Sequence, residues 1–151
     1  MKFRFWWGVA VVYMAVIFYS SHQPAVHSNE LSTSVTEVVI KLVGEETFQP
    51  PSTLDQLNHL LRKSTHFIAY FGLAIVFWMA VAKRGFTRYF LAWGLATLYA
   101  CTDEFHQLFV EGRGGQLRDV GIDSSGAALA MLVLFGIQMT RRVLSSGSST
   151  S

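Results

Sequence analysis

The chain has 151 residues, enough for one domain; 51% are apolar and only 15% charged, and mean hydropathy is positive. That balance suits an integral membrane protein better than a water-soluble domain. The net charge of +2 is small, and Lys and Arg sit in short groups beside apolar runs, which marks topology and leaves no nucleic-acid footprint. A lone cysteine, Cys101, rules out an intrachain disulfide and reads as a buried thiol.

The first apolar run, Phe5 to Ser20, follows Lys2 and Arg4. Phe5, Trp6 and Trp7 at one end and Phe18 and Tyr19 at the other are the aromatic belts of a membrane span. A cleaved signal peptide would need a small-x-small site, which SSHQPAVHS lacks, so an uncleaved span is expected. Pro24 breaks the helix. From Ser28 onward, Leu31, Val35, Val38, Val39 and Leu42 recur at helical spacing and predict an amphipathic helix on the membrane or over the bundle.

Pro50-Pro51 forces a break, after which Thr53 or Asp55 begins a helix that turns into a second span, ending at Lys83-Arg84-Gly85. A third span runs from about Arg88 to Phe109 and a fourth from Asp119 to Gln138, ending at Arg141-Arg142. The SSGSSTS tail reads as disordered. The expected fold is all-α: a four-helix transmembrane bundle over residues 1–144, an extracytoplasmic amphipathic helix between spans one and two, and a tail over 145–151.

With an even number of spans, Lys2 and Arg4, then Lys83, Arg84 and Arg88, then Arg141 and Arg142 all fall on one side. The positive-inside tendency makes that side the cytoplasm, with both termini there, in a bacterial cytoplasmic membrane. The long acidic-leaning loop and the GRGGQLRD turn face outward. Lys63, His66 and Tyr70 then lie in the outer part of span two, within about 60° of one another at 100° per residue. Asp103, Glu104, His106 and Gln107 occupy one arc of roughly 160° at the outer end of span three. Asp119 and Asp123 are an i, i+4 pair opening span four, and Gly126 and Ala130 continue their stripe as small residues that admit a close neighbour.

Charge in a bilayer is costly and usually functional, so three helices bringing polar groups to one depth point to a site. Each residue also has a plainer role. Arg62, Lys63, Arg113 and Arg118 can be interfacial anchors, Asp119 can be a helix cap, and His66 can be a packing residue. Asp103 and Glu104 resist that account, because adjacent carboxylates at a helix C-terminus oppose its dipole and need partners.

Lys63-x-x-His66-x-x-x-Tyr70, Asp103-Glu104-x-x-Gln107-x-Phe109, Arg113, Asp119 and Gly126 together resemble the VanZ-like family of bacterial membrane proteins. Ser20-Ser21-His22-Gln23-Pro24 is similar to that family's SSQP segment with His22 inserted. Two positions depart from the family's habit: Asp123 stands where Asn is frequent, and Glu111 where Pro is common. The resemblance implies a cell-envelope role, because the namesake is associated with low-level resistance to teicoplanin, a glycopeptide with a lipid tail.

Two functions follow. In the first, Lys63, His66, Tyr70, Asp103, Glu104, Gln107, Arg113, Asp119 and Asp123 bind an amphiphile at the outer leaflet. The partners would be membrane lipids, a lipid-linked cell-wall precursor or a lipoglycopeptide, with no nucleic acid. In the second, the chain is a membrane-embedded lipid hydrolase or transferase. Its catalytic candidates are His66, Asp103 and Glu104, and its metal candidates are Asp103, Glu104, Asp119 and Asp123. No cofactor is firmly implied beyond a divalent metal that such carboxylates could hold. No H-E-x-x-H, serine-nucleophile motif or phosphate loop supports the enzyme. A third reading makes the polar groups only glue between helices.

Overall fold

The computed structural model of the chain describes residues 2–23 and 51–147. These residues form four helices and no strand: α1 (Lys2–Ser21), α2 (Pro51–Ala80), α3 (Phe86–Gln107) and α4 (Leu117–Gly147). The all-helical bundle is therefore as the hydropathy and charge spacing predict. The expected amphipathic helix between the first two spans lies outside the described residues. The last helix continues to Gly147, past the position where the tail was expected to begin.

Three helices, over Phe3–Ser21, His59–Ala80 and Leu117–Ser145, are long and apolar enough to cross a membrane. Helix α3 has 22 residues, or about 33 Å at 1.5 Å per residue, so its length also suffices. Arg88 near one end and Asp103, Glu104, His106 and Gln107 at the other hold its mean hydropathy down.

Helix α2 is the centre of the bundle. It packs on α1, α3 and α4, whereas the α1 backbone stays farther from α3 and meets it through side chains such as Phe18, Ser21 and Tyr99. Successive helices run antiparallel. Glu104 meets the backbone of Gln116 at one end, and Tyr89 Oη–H donates to Gln138 Oε1 (2.7 Å) at the other. At that second end the guanidinium of Arg88 lies 3.8 Å over the Trp78 ring while its Nε–H donates to the Trp78 carbonyl (2.7 Å). The short α2–α3 connection is locked there.

In lipid there is no hydrophobic drive to bring apolar helices together, so close packing and polar contacts must hold them. Alanines supply the closeness on α3, where Ala92, Ala96 and Ala100 form its buried stripe. Gly126 does so on α4: a Cβ there would collide with the backbone carbonyl of Phe67 on α2. Ala127 and Ala130 are fully buried beside it, against a core that includes Tyr70, Leu73 and Phe77. The small stripe from Gly126 to Ala130 thus works as the sequence pattern predicts. Cys101 does not follow expectation. It is exposed, because an apolar position in a membrane helix can face lipid as readily as protein.

The glycine stripe yields a direct test. Gly126→Val should destabilise the protein by about 1–3 kcal/mol, the usual range for overpacking, seen as a lowered midpoint of thermal unfolding in detergent. Gly94→Ala, where an added Cβ meets nothing within 4 Å, should leave the midpoint unchanged or raise it. Equal losses at both positions would refute the close α2–α4 approach.

Candidate functional site

Helical periodicity assembles the site from α2 and α4 first. These helices run parallel, so residues three or four apart on each form matching rungs. On the outer rung Lys63 forms a salt bridge with Asp119, both side chains largely buried. Asp119 lies in the first turn of α4, which begins at Leu117, so its role is this ion pair and not a helix cap. One turn deeper, His66 Nδ1 faces Asp123 Oδ2 at 3.6 Å, too far for a hydrogen bond. The Asp123 side chain is only 1% exposed, and neither of its oxygens has a hydrogen-bond partner among the described residues. A carboxylate buried this way is expensive unless something compensates it.

Helix α3 brings two adjacent acids whose directions differ by about 100°, and each serves a different neighbour. Asp103 turns toward α1, where its Oδ2 accepts from Ser21 Oγ–H (2.8 Å); the same oxygen accepts from Gln107 Nε2–H (3.3 Å) one turn along α3. Glu104 turns toward α4, where its Oε2 accepts the Gln116 backbone N–H (2.9 Å). The turn comes this close because Gly115 carries no side chain; a Cβ there would strike the Glu104 carbonyl. Gly112 supplies the positive φ of 71° that bends the chain back.

These elements enclose a cavity of about 210 Å³ at one end of the bundle. Helix α2 lines it with His59, Arg62, Lys63 and His66, and α3 contributes Glu104 and Gln107. Arg113 and Gln116 come from the turn, with Asp119 and Asp123 from α4. Seven of the nine predicted ligand-binding residues thus share one space.

Asp103 and Tyr70 do not line it. Asp103 is occupied with the α1 contact. Tyr70 is fully buried in the core against Tyr99, ring centroids 6.2 Å apart, its hydroxyl without a hydrogen-bond partner among the described residues. His106 also leaves the cluster, its Nε2 lying 3.0 Å from His22 Nδ1 and its ring against Phe18. Four residues with a place here escaped prediction as site members: Ser21, His59, Arg62, which was read as an interfacial anchor, and Gln116. Ser21 carries no periodic signal, and Gln116 contributes through its backbone, which no side-chain pattern reveals.

The cationic side is concentrated on Arg62 and Arg113. Arg113 Nε is buried with no hydrogen-bond partner among the described residues. Burial is the main influence lowering its pKa below the usual value. Neighbouring Arg62 lowers it further, while Asp103 and Glu104 oppose the shift. Arg62 and Arg113 thus bring two guanidiniums to one recess, a combination that can accept an anion in fork geometry.

Fold and site together define a class: a small helical protein with membrane-length helices and a charged cavity recessed at one bundle end. A VanZ/LLP1 family profile matches residues 6–138, and the chain belongs to that family. No curated protein and no solved structure matches it.

A double-mutant cycle measures the outer rung. Lys63→Met and Asp119→Asn should couple by about 0.5–3 kcal/mol in unfolding free energy, because each single change strands the other charge in a part-buried setting. Strict additivity would mean that the two side chains do not meet.

Proposed function

We propose that this is a multi-pass protein of the bacterial cytoplasmic membrane that binds the anionic headgroup of an amphiphile, a phospholipid or a lipid-linked wall precursor, in the cavity. The observation that carries the proposal is the pair Arg62 and Arg113 at one recess, with the Arg113 Nε buried and lacking a partner among the described residues. A phosphate accepts from two guanidiniums in fork geometry, which would offset the cost of holding like charges together. Lys63 is already matched by Asp119, so among the described residues lining the cavity the two arginines are the permanent cations that remain for an incoming anion.

Charge distribution supports the orientation. Arg4, Lys83, Arg84, Arg88, Arg141 and Arg142 belong to the bundle end opposite the cavity, so the positive-inside tendency makes that end, with both termini, cytoplasmic. The cavity would then open at the outer leaflet, where wall precursors are displayed and lipoglycopeptides act. Holding such a lipid, or changing its presentation, would reduce access for a teicoplanin-type compound. A single observation favours a second reading, a lipid hydrolase or transferase: His66, Glu104 and Asp123 approach one another in the same wall.

Protein reconstituted in phosphatidylglycerol nanodiscs and extracted into mild detergent should retain phosphatidylglycerol in native mass spectra. Arg62→Ala/Arg113→Ala should weaken that retention roughly tenfold or more, as expected when charge-assisted hydrogen bonds are removed. Retention equal to wild type would refute headgroup binding by these arginines. Release of phosphate or diacylglycerol from the lipid would favour the enzyme over the binder.

A further inference from the structure

The buried part of the cavity wall poses a problem that headgroup binding does not solve. Asp123 is almost fully buried, both its carboxylate oxygens lack hydrogen-bond partners among the described residues, and it lines the cavity. Lys63 is engaged one turn away by Asp119. His66 faces it at a separation too wide for a hydrogen bond and too narrow for a bridging water to sit on the line between them. Glu104 reaches the same point from α3. One ligand atom each from His66, Glu104 and Asp123 lie within 4.8 Å of one another.

We infer that His66, Glu104 and Asp123 form a binding site for a divalent transition-metal ion, zinc being the best match, with open positions facing the cavity. Zinc bonds to imidazole nitrogen and carboxylate oxygen are about 2.0–2.2 Å long; at the 3.6 Å separation of His66 Nδ1 and Asp123 Oδ2, two such bonds meet at roughly 120°. That angle suits a four- or five-coordinate ion. Three protein ligands with the remaining positions open is the arrangement of sites that take an exogenous oxygen ligand. The imidazole selects against magnesium and calcium, which prefer all-oxygen shells. The Gln116 N–H bond to Glu104 Oε2 (2.9 Å) orients the third ligand, as outer-shell contacts do at metal sites.

This revises the expected ligand set. Asp103 is spent on Ser21 and Gln107, and Asp119 on Lys63, while His66 joins. The metal's role in headgroup capture, an open position accepting a phosphate oxygen beside Arg62 and Arg113, rests on the proposed binding function; the metal site itself does not.

The test uses full-length protein in detergent with the Cys101→Ala and His106→Ala changes, which remove the exposed thiol and break the His22–His106 pair as rival zinc ligands. After loading with zinc chloride and desalting, elemental analysis should find about one zinc per chain. His66→Ala and Asp123→Asn, each checked for helical content and monodispersity, should bind about tenfold less or weaker still. Less than about a tenth of an equivalent in the parent, or equal zinc in parent and both variants, would overturn the site. Phosphatidylglycerol retention measured on the same samples separates the two proposals. Lost zinc with retained lipid leaves headgroup binding by the arginines intact. Full zinc with no lipid retention leaves the metal site and removes the headgroup.

Discussion

Charge placed among membrane-length helices must be compensated by other protein groups, by water or by an ion, because lipid offers nothing in return. That requirement organises the cavity end of this bundle. Each acid is directed at a specific neighbour: Asp103 at α1 through Ser21, Glu104 at the turn through the Gln116 amide, and Asp119 at α2 through Lys63. Asp123 faces the cavity with neither carboxylate oxygen hydrogen-bonded among the described residues, which is why the metal-site proposal centres on it.

The packing of small residues makes this arrangement possible. Gly126 lets α4 approach the α2 backbone closely, and the alanine stripe of α3 does the same on its own buried face. Side chains from three helices therefore converge within hydrogen-bonding or ion-coordinating distance. The far end is closed by different means, with Arg88 clamped on Trp78 and Tyr89 bonded to Gln138. One end is tied by these contacts, whereas the other keeps a cavity.

The helices were legible in the sequence because apolar runs bounded by charge have few alternative structures in a membrane. The faces that carry Lys63 with His66 on α2 and Asp119 with Asp123 on α4 were legible for a geometric reason, because i, i+3 and i, i+4 spacing fixes which side chains share a face. Their pairing into the rungs Lys63–Asp119 and His66–Asp123 was not, because spacing along one helix says nothing of its neighbour. The split between Asp103 and Glu104 was not. Their shared arc is wide enough to span two interfaces, and periodicity cannot say which helix lies on each side. Hydropathy likewise misjudged Cys101, since apolar character does not distinguish a lipid-facing position from a buried one. The same limit hid the loss of Tyr70 to the core, where the ring is accommodated and the hydroxyl has no hydrogen-bond partner among the described residues.

Convergence of α2, α3 and α4 on one cavity is the claim from which the rest derives, and short-span crosslinking measures it most directly. In a Cys101→Ala background, Lys63→Cys should be joined by a short bis-methanethiosulfonate reagent to Asp119→Cys and, in a separate variant, to Glu104→Cys. Ser64→Cys, one residue away and exposed, should join neither. Crosslinking from position 64 as efficient as from 63, or none from 63 to either partner, would contradict a cavity shared by the three helices.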